Sequence, residues 1–226
     1  MFARLTNTYQ ELGPTNTLVH ICNKILASVF FKQATICKYY ITEQGVTSPL
    51  ITSGRGKDIE VREIDRNDPI CSQLDRPSET IKARFNQGGH CYVAFRKGEV
   101  AGYLWLNLGR YQEDEVRCTF ILSPFNQSAW DYDVYVFPKH RFSFTFPRLW
   151  EVANIAMTAQ GIQNTYSRIN YYNIASLNSH KKLGSHIIGS IYFLRFFQMQ
   201  LSASVNFQPA ITFSLNRQTF PKIYIP

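Results

Sequence analysis

Asn173, Ser176, His180 and Gly184 follow one another at intervals of three, four and four residues. On a helix, that spacing puts an amide, a hydroxyl and an imidazole on one face, a turn apart. Earlier in the chain, Asp131 and Asp133 alternate along an expected strand, where period two places both carboxylates on one face. That strand stops at Pro138, with Arg141 just beyond. Each group has a chemistry. A carboxylate facing a cleft accepts a proton from an amine, directly or through water, and Asp133 lies nearer the strand end. An imidazole exchanges protons near neutral pH. A strand end followed by a basic turn and a helix start holds phosphate, because helix N-termini favour anions. A second strand, residues 165–170, with a polar-lined helix beside it makes a slot for a thin acyl-bearing arm.

Each residue also has a structural reading. Asp133 forms a solvated polar edge or pairs with Arg168; Arg168 alternatively recognises an acidic acceptor. His180 is an exposed member of a basic helix beside Lys181 and Lys182. Asn173 caps its helix, which is compatible with a ligand contact. Ser176 packs, and Glu151 serves the dipole of its own helix. His90 and Cys91 are strand neighbours, so they point oppositely and make a poor nucleophile pair. Metal-ligand spacing is not evident.

Residues 14–31 predict a helix capped by Thr15 or Asn16, with Leu18, Ile21, Cys22, Ile25, Leu26 and Val29 at helical spacing. Residues 34–42 predict a strand, and 44–57, with Gly45, Pro49, Gly54 and Gly56, a loop. From residue 59 the expected order is strand, two helical pieces broken at Pro77, three antiparallel strands, strand, helix, strand, helix, strand. Ser78 is the expected cap of the second piece. Lys97-Gly98 marks a hairpin turn, the stretch 115–122 continues the antiparallel run, and Gly161 and Gly184 close helices. A short strand is expected near 211–215 in an irregular tail.

That order, over residues 59–192, resembles the GNAT (Gcn5-related N-acetyltransferase) superfamily. Val136-Phe137-Pro138 is similar to the family's V-x-P strand end. Arg141, Phe142, Ser143, Phe144, Thr145 and Phe146 occupy the place of its basic, glycine-rich turn, with phenylalanine at 142, 144 and 146 where the family has glycine. Asn173, Ser176, His180 and Gly184 match a later pattern of Asn, small residue, Tyr and Gly, and Ser185 stands in a Phe position. The resemblance implies a mixed α+β fold, with a central, mostly antiparallel twisted sheet flanked by helices. It implies an N-terminal helix–strand extension over residues 1–57 and an acyltransferase domain over 58–226. Acetyl-coenzyme A or another acyl-coenzyme A is then the co-substrate, with no metal. Residues 136, 137, 141–146, 173 and 176 would hold it, with the N–H of Val136 or Phe137 meeting the oxyanion. His180 would protonate the leaving thiolate and Asp133 would act as base. Transfer would pass directly to a small-molecule amine or hydroxyl acceptor. A variant donor is an acyl carrier protein. The rival is a GNAT-shaped scaffold without catalysis, for which the phenylalanine-rich turn speaks.

Composition bounds this reading. The 226 residues are 45% hydrophobic and 18% charged, an ordinary globular balance, with aromatics raised to 15%. The net charge of +8 favours anionic partners, but no recognition motif points to nucleic acid. Trp105, Trp130, Trp150 and the many Phe and Tyr are expected mainly in the core, the alternative being the lining of an acceptor pocket. Five scattered cysteines without a C-x-x-C suggest free thiols in a reducing compartment. The apolar runs at 18–31 and 187–201 are interrupted by polar groups, so a cytoplasmic monomer or homodimer without a transmembrane segment is expected.

Overall fold

The computed structural model describes residues 2–46 and 52–226; Pro49, in the expected loop, lies outside them. Helix α1 (Phe2–Val29) starts well before the Pro14 signal and consists of two pieces meeting at Gly13, whose φ of 74° departs from the helix. Pro14 suits a helix start because its missing N–H would be unpaired there. Asn16 and Thr17 bridge the kink: Asn16 Nδ2 donates to Leu12 O at 3.0 Å and Thr17 Oγ1 to Gly13 O at 2.7 Å. Strands β1 (Ala34–Gly45) and β2 (Ile59–Ile64) follow. A 3-10 turn at Pro69–Gln73 leads to α2 (Ser78–Asn86), whose N-cap is Pro77 rather than Ser78. β3 (His90–Arg96) and β4 (Glu99–Leu108) form a hairpin across Lys97 and Gly98, both at positive φ, as such a turn requires.

The stretch 115–122 is not one strand. β5 (Arg110–Gln112) and β6 (Thr119–Leu122) are short, and β6 lies in a three-stranded sheet of order β12-β6-β5. Then come β7 (Ser128–Val136), α3 (Thr145–Ala159), β8 (Asn164–Asn170), α4 (Ile174–Lys182), β9 (His186–Phe196), β10 (Met199–Ser204), β11 (Ile211–Ser214) and β12 (Lys222–Ile225). Gly161 and Gly184 close their helices at φ 77° and 88°, the left-handed region glycine enters freely. The strand at β12 was not expected. From β2 to β9 the element order is the expected one apart from the added β5 and the placement of β6 in the three-stranded sheet, and the fold is mixed α+β and mostly antiparallel.

The chain divides into two compact units. The first holds Met1–Glu43, Glu115–Phe120 and Arg168–Ile225; the second holds Gln44–Asp114 and Ile121–Ser167. In the first unit β11, β10, β9 and β1 are successive antiparallel neighbours. β1 pairs with β9 from Ala34↔Phe196 to Glu43↔His186. Buried Tyr39 meets Phe193 edge-on at 5.8 Å, a favourable cross-strand aromatic pair.

In the second unit β7, β4, β3 and β2 are antiparallel neighbours, and β8 joins β7 in parallel. The core unites Ile64 of β2, Leu74 and Ile81 below, Cys91 and Val93 of β3, and Tyr103 and Trp105 of β4. α3 packs on β2, β3, β4 and β7. Trp105, Trp130 and Trp150 are fully buried, which makes them core residues rather than the lining of an acceptor pocket.

Candidate active site

β7 carries an irregularity that sequence periodicity does not reveal. Trp105 pairs with Asp133 but Leu106 pairs with Asp131, so Tyr132 is an extra residue on β7. Such a bulge bends its strand and disrupts the ladder locally. The parallel register of β7 with β8 runs from Ser128↔Asn164 to Asp131↔Ser167, the position just before the bulge, while β7 continues to Val136. The bulge also changes the faces. Trp105 and Leu106 point oppositely on β4, so their partners Asp133 and Asp131 do too. The two carboxylates therefore do not share a face as period two predicted. Asp131 accepts a very short bond from Ser167 Oγ across the last rung.

Beyond Val136 the chain turns through a 3-10 segment at Pro138–His140 and enters α3. Two side chains lock this turn. Ser143 Oγ donates to His140 O at 2.6 Å, lies 2.8 Å from Thr145 Oγ1 and accepts from Thr145 N at 3.2 Å. The phenylalanines strain nothing: Phe144 has φ −82° and ψ 14°, and no residue of 141–146 has positive φ. The turn thus does without glycine's backbone freedom, at the expense of bulk. Phe142 is fully exposed. Phe144 lies under the Arg55 guanidinium at 4.8 Å, and Phe146 meets Trp150 at 6.5 Å. Neither Phe142 nor Phe144 gives its N–H to a backbone carbonyl among the described residues. Arg141 is exposed, its Nε 3.3 Å from Val136 O. Phe137 N donates to Ala101 O at 3.0 Å, so of the two N–H groups expected to meet an oxyanion, this one is already used. The residues therefore suit an anion through Arg141 and the turn's N–H groups, without the close backbone approach that glycine would add.

Asp133 is buried among arginines. Arg76 grips it with two bonds, Nε to Oδ2 at 2.8 Å and Nη2 to Oδ1 at 2.6 Å, and Arg84 Nη1 reaches Oδ2 at 2.6 Å. Arg84 also donates to Asp114 Oδ2 at 2.7 Å. Burial pulls the Arg84 pKa down, but Asp133 and Asp114 outweigh it and hold the guanidinium above its ordinary range. Both Asp133 oxygens are occupied, so accepting a proton would break charge-assisted bonds. Its partners are Arg76 and Arg84, not Arg168. Arg168 instead pairs with Glu115 at 3.1 Å and covers the Tyr39 ring at 4.6 Å.

In the first unit, α4 gathers Asn173, Ser176 and His180. Asn173 Oδ1 accepts from Ser176 N at 3.2 Å, the expected cap. His180 is buried rather than exposed, and its Nδ1 lies 2.9 Å from Ser176 O and 3.4 Å from Ser176 Oγ. A carbonyl only accepts, so Nδ1 carries a hydrogen, which leaves Nε2 as the nitrogen free of this bond.

Other sequence candidates have structural roles. Glu151 is buried, pairs with Arg148 at 2.5 Å and accepts from Thr52 Oγ1 at 3.0 Å. His90 Nδ1 meets Glu63 at 2.7 Å. Burial raises the Cys91 thiol well above its ordinary value, which removes it as a nucleophile. Besides Arg76 and Arg84, His140 went unnoticed in the sequence: it is buried at the turn, and among the described residues neither ring nitrogen has a hydrogen-bond partner. Burial, then Lys139 and Arg96, lowers its pKa.

No family model matches the chain, and no curated protein does. Solved structures do. A functionally unknown conserved protein from Staphylococcus epidermidis aligns over 77% of this chain and 67% of its own, at 10% identity and a TM-score of 0.51. A GCN5-related N-acetyltransferase-like protein from Streptococcus suis covers 76% and 66%, at 14% identity and 0.49. A GNAT family acetyltransferase from Elizabethkingia anophelis, with acetyl-CoA bound, covers 56% and 74%, at 15% and 0.43. At such identities the likeness is one of fold.

Proposed function

We propose that this chain is an acyltransferase that moves an acetyl or longer acyl group from acyl-coenzyme A to an amine or hydroxyl acceptor. The observation that carries the reading is the end of the β7/β8 ladder at Asp131↔Ser167, beside the bulge at Tyr132, with β7 continuing to a turn that presents Arg141. Interrupted pairing followed by a basic turn at a helix start supplies the two needs of this donor: backbone groups for the amides of its thin arm, and an anion site for its pyrophosphate.

In this reading Arg141 and the N–H groups of the turn hold the pyrophosphate, and Asn173 and Ser176 serve the donor arm. The acceptor nitrogen attacks the thioester carbonyl, forming an N–C bond and a tetrahedral oxyanion, for which the Val136 N–H is the assigned donor. The C–S bond then breaks, and the leaving sulfur takes a proton from His180 in its imidazolium form. The proton shed by the amine passes to water, and His180 is reprotonated from solvent. Asp133 is assigned to positioning, since its oxygens are bound by Arg76 and Arg84.

The test is thiol release from acetyl-coenzyme A over a panel of amines. His180→Phe should lower kcat on the order of 10²-fold with little change in donor affinity, as loss of a general acid does. Unchanged turnover would remove His180 from the chemistry. A second reading follows from Phe142, fully exposed next to Arg141: a donor carried on an acyl carrier protein, which would dock on an apolar and cationic surface. Transfer from an acylated carrier but not from coenzyme A would select it.

A further inference from the structure

The first unit contains a cavity of about 580 Å³ that none of the residues assigned above lines. Arg117, Arg195, Arg217 and Lys32 form much of its wall, with Thr35 and Phe197, and no carboxylate lines it. Among the described residues none of the four cations has an acidic side-chain partner. Glu115 comes near, but its carboxylate serves Arg168 and the Tyr39 hydroxyl, and Arg195 reaches only its backbone oxygen, at 3.3 Å.

Two of the guanidiniums are held in place. Gln200 brackets Arg117, accepting from its N–H at 3.0 Å and donating to its carbonyl at 2.8 Å, while Arg117 Nε donates to Ser214 Oγ at 2.8 Å. Arg195 Nε donates to Thr35 Oγ1 at 3.0 Å. Among the described residues, buried Arg117 Nη2 lacks an acceptor. A buried charged donor without a partner is costly, and the four cations repel one another. Burial, then Arg195 and Arg217, pulls the Arg117 pKa below its ordinary value. An anion in the cavity would relieve the repulsion among the cations that line it.

We propose that this cavity binds a phosphate-bearing small molecule with at least two negative charges. Arg117 and Arg195 grip its oxygens, Lys32 and Arg217 complete the charge balance, and the half-exposed Phe197 ring lies against whatever apolar group it carries. Guanidiniums suit this role because their planar donor fork matches phosphate geometry. Its volume falls within the range of small-molecule sites.

The test is calorimetric titration of the full chain with pyrophosphate, inorganic phosphate and adenosine diphosphate, with chloride as control. Pyrophosphate should bind more tightly than phosphate. Arg117→Gln should weaken it about tenfold or more, the effect of losing a charge-assisted contact. Arg217 is exposed and has no structural bond among the described residues, so Arg217→Gln should weaken binding in the same sense without altering the melting temperature. Arg141→Gln should leave pyrophosphate affinity at this cavity intact. Tighter binding of adenosine diphosphate than of pyrophosphate would identify an organic phosphate; the reverse would identify an inorganic one. Absence of pyrophosphate binding to the unaltered chain, or binding that survives the Arg117 and Arg217 substitutions and disappears with Arg141→Gln, would overturn the proposal. Acetyl-coenzyme A titrated into the Arg217 and Arg141 variants reads the donor site separately, so either assignment can fail without the other.

Discussion

Asp133 and His180 show how far local pattern and actual environment diverge for single residues. Asp133 has the position of a base but the company of a clamp. Asp133→Asn would leave the buried Arg84 with Asp114 as its remaining carboxylate partner, so a loss on the order of 3 kcal/mol is expected in urea unfolding. A change below about 0.5 kcal/mol would mean that water already compensates these charges. His140 makes a prediction with a sign. In the unfolded chain its imidazole takes up a proton near pH 6.5, as an ordinary histidine does. In the fold its pKa is lowered by burial and by Lys139 and Arg96. The unfolded state therefore binds more protons as pH falls through that range, and stability drops. His140→Gln should flatten the acid side of the stability–pH curve between about pH 7 and 5. An unchanged curve would place the sensitivity elsewhere, for example at His20, whose value is also lowered.

At the scale of elements, the chain was legible where local chemistry decides. The alternation of Ile59, Val61 and Ile64 marks β2, Lys97-Gly98 marks the hairpin, and Gly161 and Gly184 mark helix ends, because each signal is contained in a few neighbouring residues. The bulge at Tyr132 was not legible: one extra residue in a strand changes no composition, yet it sends Asp131 and Asp133 to opposite faces and coincides with the end of the β7/β8 ladder. The arginine clamp was hidden for another reason. Arg76 and Arg84 lie 57 and 49 residues from Asp133, and only pairing of the strands brings them together. Gly102 tests how the turn is held. A Cβ there would stand 2.6 Å from Tyr135 O and 3.1 Å from Thr145 Cγ2, so β7 and the start of α3 rely on its absence. Gly102→Ala should cost about 1–3 kcal/mol, as overpacking does, and should weaken donor binding with it. A variant of full stability with ordinary donor affinity would show that the turn tolerates displacement.

For the whole molecule, a net charge of +8 predicted anionic partners, and the structure divides that charge between two settings. Arg141 stands on the turn after β7, while Lys32, Arg117, Arg195 and Arg217 meet from three separated stretches of chain to wall a cavity. That second gathering could not be read from a sequence in which the basic residues look scattered. Among the described residues no helix is long and apolar enough to cross a membrane. The central claim is the donor site, and thermal unfolding with increasing acetyl-coenzyme A tests it most directly. A specific ligand at about 100 times its Kd adds about 2.7 kcal/mol to folded-state stability. The melting temperature should climb with acetyl-coenzyme A, less so for Arg141→Gln and undiminished for Arg217→Gln. A melting temperature indifferent to acetyl-coenzyme A, to longer acyl-coenzyme A and to an acylated carrier protein would contradict it.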